Sequence, residues 1–182
     1  MTMKKLERFA LIAMAALGAA ACASVPTYVS LDPSLPRAQL TFHKGYEGTG
    51  LFSSAVQNYA LGADEYCDSA KHAALFKNVS GTESALRVTP DVRTVVWAFT
   101  TYLNSTIGAG GVLGRYDDCR NAVIFTPARN RNYDIRQAST NGDAQCSLVI
   151  TDAATGAAVR NVEVRASPDC IPRTKAARGS NR

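Results

Sequence analysis

Val92-Arg-Thr-Val-Val-Trp97-Ala-Phe-Thr-Thr-Tyr102-Leu103 is the stretch that decides the fold class. Val95, Val96, Trp97, Phe99, Thr100, Thr101 and Tyr102 crowd β-branched and aromatic side chains into one run, the composition that suits a pleated sheet surface. The run predicts a long central strand. Upstream, Leu86-Arg-Val88 leads into Thr89-Pro90-Asp91, a turn with proline in a favoured corner. Downstream, Gly108-Ala-Gly110-Gly111-Val-Leu-Gly114 predicts a flexible loop leading to Asp117-Asp118-Cys119.

The same logic extends to both ends of the chain. Ala38-Gln-Leu40-Thr-Phe42-His43 alternates apolar and polar residues, as a half-buried strand does. Ala55-Val56 and Tyr59-Ala60-Leu61 leave helix and strand open, whereas Ala73–Val79 and Ala122–Phe125 suggest strands. Tyr133–Ala138 alternates again, and Asn141-Gly142 is a hairpin signal. Cys146, Leu148 and Ile150 share one strand face. Val159, Val162 and Val164 are spaced three and then two apart, which suggests a bulge or slipped register between Val159 and Val162 in a last strand. Strands separated by turn chemistry at such intervals predict an all-β protein, a single antiparallel β-sandwich of Ig-like or transthyretin-like form.

The start of the chain has another character. Lys4, Lys5 and Arg8 precede the apolar run Phe9–Ala21, which is shorter than the ~20 residues a membrane span needs. A basic start, a short apolar stretch and small residues before Cys22 make an export signal. Leu17-Gly-Ala19-Ala20-Ala21-Cys22 resembles the lipobox of bacterial lipoproteins, although Ala19 stands where leucine is usual in that family. The resemblance implies cleavage after residue 21, lipidation of Cys22 and, with Ala23 following, residence at the outer membrane. An ordinary secretory signal cut near Ala19-Ala-Ala21, releasing a soluble periplasmic protein, is the competing reading. The expected organisation is a signal at 1–21, a Pro-rich tether at 22–36, a sandwich at 37–171 and a disordered basic tail at 172–182.

Beyond Cys22 stand Cys67, Cys119, Cys146 and Cys170. An even number in an exported chain predicts two disulfides. Cys67–Cys119 and Cys146–Cys170 are the favoured pairs, each closing its own segment. No two of the four have the close spacing of a zinc ribbon. The net charge of +5 is concentrated at the ends: Lys4, Lys5 and Arg8 lie in the signal, and Arg173, Lys175, Arg178 and Arg182 in the tail. The body is near neutral and lacks a basic face with interleaved aromatics, so nucleic acid is not an expected partner. The tail suits contact with anionic lipid.

Chemical motifs are sparse. The histidines are His43 and His72, and a hydrolase would need His43 as base beside a nucleophile such as Ser53, Ser54 or Ser69 and an orienting carboxylate. Asp117-Asp118 and Asp64-Glu65-Asp68 lack the spacing of a calcium loop. Gly45-x-x-Gly48-x-Gly50 lacks the lysine and the helix of a phosphate loop. Late in the chain, Phe125-Thr-Pro127, Tyr133-Asp-Ile135 and Cys146-Ser-Leu-Val-Ile150-Thr-Asp152 resemble the end of small β-sandwich modules in uncharacterised proteobacterial lipoproteins, a likeness that implies no activity. The expectation is a non-enzymatic envelope lipoprotein, a structural or binding module with a membrane contact through its lipid, a possible envelope protein partner and no cofactor or metal. A soluble periplasmic ligand-binding or inhibitor protein and a periplasmic hydrolase using His43 are the alternatives.

Overall fold

The expected central strand lies in the middle of a two-sheet sandwich in the computed structural model, which describes residues 26–46, 53–77, 81–108, 111–139, 146–165 and 169–170. Among these residues there are nine strands and no helix: β1 Ala38–His43, β2 Ser53–Gly62, β3 Lys71–Lys77, β4 Glu83–Val88, β5 Thr94–Gly108, β6 Gly111–Phe125, β7 Asn132–Ser139, β8 Cys146–Asp152 and β9 Glu163–Val164. One sheet has the order β4-β1-β7-β8 and the other β3-β2-β5-β6-β9. Every pairing is antiparallel except β1 with β7, where Leu40 meets Tyr133 and Phe42 meets Ile135 in parallel register. The expectation of a wholly antiparallel sandwich is corrected at that pair. Parallel neighbours need a long crossover, and here the whole chain between His43 and Asn132 supplies it.

The core follows the period-2 alternation of the strands. Leu40, Phe42, Tyr133, Ile135 and Ile150 from the first sheet meet Tyr59, Leu61, Phe76, Val96, Ala98 and Phe125 from the second. Tyr59 anchors the aromatic cluster, with Phe42 at 5.1 Å and Phe76 at 6.1 Å between ring centroids. Burial pushes the Tyr59 phenol up to about 12. Its hydroxyl donates to the His43 carbonyl and accepts from the Gln137 amide.

Two glutamines lie wholly buried in this core. Gln57 Nε2 donates to Thr100 Oγ1, and Thr100 Oγ1 donates to Gln137 Oε1 at 2.6 Å. Gln137 Nε2 donates to the Ala98 and Cys119 carbonyls and to Asn121 Oδ1. Gln57 Oε1 accepts from the Gly45 amide. A buried amide is tolerable only when its bonds are made, and this network joins the two sheets through their middle. Gly45 is fixed by the same contact: a Cβ there would run into the Gln137 carbonyl.

β5 is buried on both faces from Thr94 to Ala98, which explains the apolar run there. Val96, Ala98, Thr100 and Tyr102 face the other sheet, whereas Val95 and Trp97 face outward yet are at most 1% exposed. They pack with Ala60, Ala122 and Ile124 in a second cluster, against which Ala70 and Cys170 lie. The cover over this cluster is the β2–β3 loop and the segment after β9, joined by the Cys67–Cys170 disulfide. Glu65 Oε1 accepts from Arg93 and Arg165, and Arg120 pairs with Asp169, adding ion pairs to the same cover.

The observed disulfides are Cys67–Cys170 and Cys119–Cys146. The four cysteines do form two bridges, but the expected pairs Cys67–Cys119 and Cys146–Cys170 are not the ones formed. The reason is which side of the five-stranded sheet each occupies. Cys119 points into the main core and meets Cys146 at the start of β8, so that bridge ties sheet to sheet. Cys67 and Cys170 stand on the outer side of the sheet, over Trp97.

Two further expectations change. The glycine-rich stretch read as a loop belongs largely to the β5–β6 ladder, which continues through Thr106↔Leu113 to Gly108↔Gly111. Among the described residues the ladder with β2 runs from Gly62↔Val95 to Ser53↔Asn104. The uneven valine spacing near the end reflects a change of sheet rather than a bulge. Val159 donates to Ile150 of β8, Asn161 turns the chain with φ of 64°, and Val164 pairs with Val123 of β6. Asparagine tolerates that left-handed conformation better than most residues. The signal at 1–21, Cys22, the Asn141-Gly142 turn and the tail at 172–182 lie outside the described residues.

Candidate functional site

The N-terminal stretch does more than lead into β1. His72 donates from its amide to the Pro26 carbonyl, and the Tyr28 amide donates to the His72 carbonyl, both at 2.7 Å. Three residues on, the Leu31 amide donates to Arg87 of β4, and the Arg87 amide donates to Ser30 Oγ. Residues 26–31 therefore run from the edge of β3 in one sheet to the edge of β4 in the other. Exposed strand edges template unwanted pairing unless covered, and this strap contacts both.

Beneath the strap, at the end of the sandwich where β2 and β4 finish and β3 and β5 begin, is a cleft of about 340 Å³. Its walls are Leu61, Val88, Val92 and the Tyr28 ring, with Gly62 and Ala63 between them. Burial raises the Tyr28 phenol above its ordinary value. Gly62 is needed here because a Cβ would lie 2.7 Å from Ser69 Oγ and 2.8 Å from the Trp97 ring. Lys71 and Arg93 bring the cationic groups, and Ser69, Thr89 and Thr94 the hydroxyls. Arg93 donates to Glu65 at 3.0 Å. Thr94 Oγ1 donates to the Val92 carbonyl, and Ser69 Oγ to the Asp64 and Tyr66 carbonyls. The turn that brings Val92 to the rim depends on Asp91, at φ of 59°, whose amide donates to the Pro127 carbonyl.

The residues singled out from sequence are dispersed. His43 lies on the outer face of the four-stranded sheet, and Asp134 Oδ1 accepts from its Nε2 at 2.8 Å. Asp134 is thus the carboxylate neighbour a base would need. The serines invoked with it stand elsewhere: Ser54 is on the outer face of the opposite sheet, and Ser69 is in the β2–β3 loop. His72 Nδ1 lies 2.7 Å from Asn58 Oδ1. Asp118 pairs with Arg120, and Glu65 with Arg93 and Arg165, so these carboxylates face arginines. Tyr28, Lys71 and Arg93, which build the cleft, carried no signal in the sequence. Their positions are set by the strap and by where four strands end, and no local motif records that. No family model matches the chain, and no curated protein or solved structure is significantly similar to it.

Proposed function

We propose that this protein is a non-enzymatic cell-envelope lipoprotein, lipidated at Cys22, held on the outer membrane and acting there as a binding module. The observation that carries the reading is Tyr28, a wall of the end cleft bonded to the body through His72. It lies six positions after Cys22, and an extended chain of that length spans at most ~20 Å. A lipid on Cys22 would therefore keep the cleft close to the membrane surface. Acyl chains on one residue anchor stably once there are two or more. The proposal includes an Ig-like or transthyretin-like origin for the sandwich, and contact of the basic tail with anionic lipid.

The alternative of a soluble periplasmic binding protein shares the cleft and differs only at Cys22. The space between the sheets is filled by Tyr59, Phe42, Leu61 and their neighbours, which favours a ligand at the end of the sandwich over one enclosed between the sheets. The hydrolase alternative has the His43–Asp134 pair in its favour and the separation of Ser54 and Ser69 from it against.

The mass of the mature N-terminus tests the proposal. An acylated chain beginning at Cys22 and sedimenting with membranes is expected, with Cys22→Ser released in soluble form. An unmodified N-terminus on a soluble wild-type chain would sink the anchor and favour the periplasmic alternative.

A further inference from the structure

We infer that the end cleft takes an amphipathic anion, an apolar body bearing one carboxylate or phosphate head, and that the Lys71 ammonium receives the head. This rests on the reading of the protein as a binding module and names its ligand class. The lining contains two cations, Lys71 and Arg93, and no carboxylate. Arg93 is already paired with Glu65. Lys71 is exposed and has no acidic partner among the described residues, so it is the cation left to meet a ligand. A cleft lined by one sign of charge concentrates the opposite sign.

The apolar half of the ligand follows from the remaining walls. Leu61, Val88, Val92 and the ring of Tyr28 present carbon to the space, and a bare inorganic anion would leave that surface wet. Small-molecule sites characteristically combine apolar walls with a few placed polar groups, in volumes from roughly 300 Å³ upward. Val92, 44% exposed at the rim, leaves the cleft open to entry. The same head-group chemistry is offered by a free fatty carboxylate and by the anionic lipid of a membrane surface.

Calorimetric titration of the exported chain carrying Cys22→Ser separates these sources. Octanoate is the soluble probe, octanol its neutral control, and phosphatidylglycerol vesicles, compared with phosphatidylcholine vesicles by sedimentation, are the lipid probe. Saturable octanoate binding with nuclear magnetic resonance shifts at Tyr28, Val88 and Val92 is expected, octanol binding about tenfold more weakly. Lys71→Glu, a change at an exposed strand end, should weaken octanoate about tenfold and leave octanol unaltered. Sedimentation with phosphatidylglycerol alone, abolished by Lys71→Glu, supports the same chemistry with lipid as its source. Equal binding of octanol and octanoate, or indifference to Lys71→Glu, overturns the inference. Silence of octanoate and anionic vesicles alike also overturns it, and the mass of the N-terminus then reports independently whether the lipoprotein reading stands.

Discussion

The five-stranded sheet is dry across its inner face and, over Trp97, on its outer face as well, and the two are kept dry by different means. The inner face is covered by a second sheet, and its buried polar groups, Gln57, Thr100 and Gln137, complete one another's hydrogen bonds. The outer face over Trp97 has no sheet to cover it. A loop and the chain after β9 lie there instead, held by Cys67–Cys170 and by the arginines that meet Glu65 and Asp169. A sheet can bury a face through repeated side-chain packing, whereas irregular chain segments bury few apolar groups each and gain from a covalent tie. The difference shows why a domain of this size uses one disulfide between sheets and another outside them.

Removing the outer tie should break the comparison most visibly. Cys67→Ala with Cys170→Ala opens a loop of 103 residues, worth up to about 4.7 kcal/mol in the chain-entropy estimate. Trp97 is the single tryptophan of the chain, so its emission should shift to longer wavelength and become quenchable by iodide. Cys119→Ala with Cys146→Ala, which closes 27 residues, should cost about 3.6 kcal/mol and leave that emission in place. Identical fluorescence changes from the two variants would remove the distinction between the faces.

The inner face is tested by Gln137→Leu. Thr100 and Asn121 would lose their partner inside the core, and buried groups left unpaired cost about 1–3 kcal/mol each. A fall of about 3 kcal/mol in urea denaturation is expected, with native Trp97 emission unchanged. A neutral result would mean that the amide network contributes register rather than stability.

The last effect is also the most specific. Tyr59 has a phenol raised by burial from 10.0 to about 12. Its raised folded-state value makes its contribution complete below pH 10 and lost as pH rises through 12, because the unfolded chain releases the proton first. That window should account for about 3 kcal/mol in alkaline denaturation. Tyr59→Phe should flatten the slope between pH 10 and 12, whereas the outer face, with no such phenol beside Trp97, should add none of it.

How far the sequence could be read differs from element to element. β1 is legible in full, because Leu40 and Phe42 alternate with Thr41 and His43 and the expected bounds are those observed. β5 is legible as a strand, although its second buried face is not, because that burial depends on a distant loop. β6 is legible only from Ala122 onward. Glycines at 108, 110, 111 and 114 argue for a loop on propensity, yet the β5–β6 ladder takes in Gly108, Gly111 and Gly114. The cleft had no local signature at all: Tyr28, Lys71 and Arg93 belong to the strap and to two separate strand ends.

Alternation of apolar and polar residues, β-branched density, turn residues and an even set of four cysteines by themselves determined an all-β, two-disulfide protein, because each is a property of neighbouring residues. Which cysteine meets which was decided by the side of the sheet each one faces. The parallel β1–β7 pair, the sheet change at Asn161 and the cleft beneath residues 26–31 were likewise decided by tertiary structure. Such features depend on distances between residues far apart in the chain, and local periodicity holds no record of them.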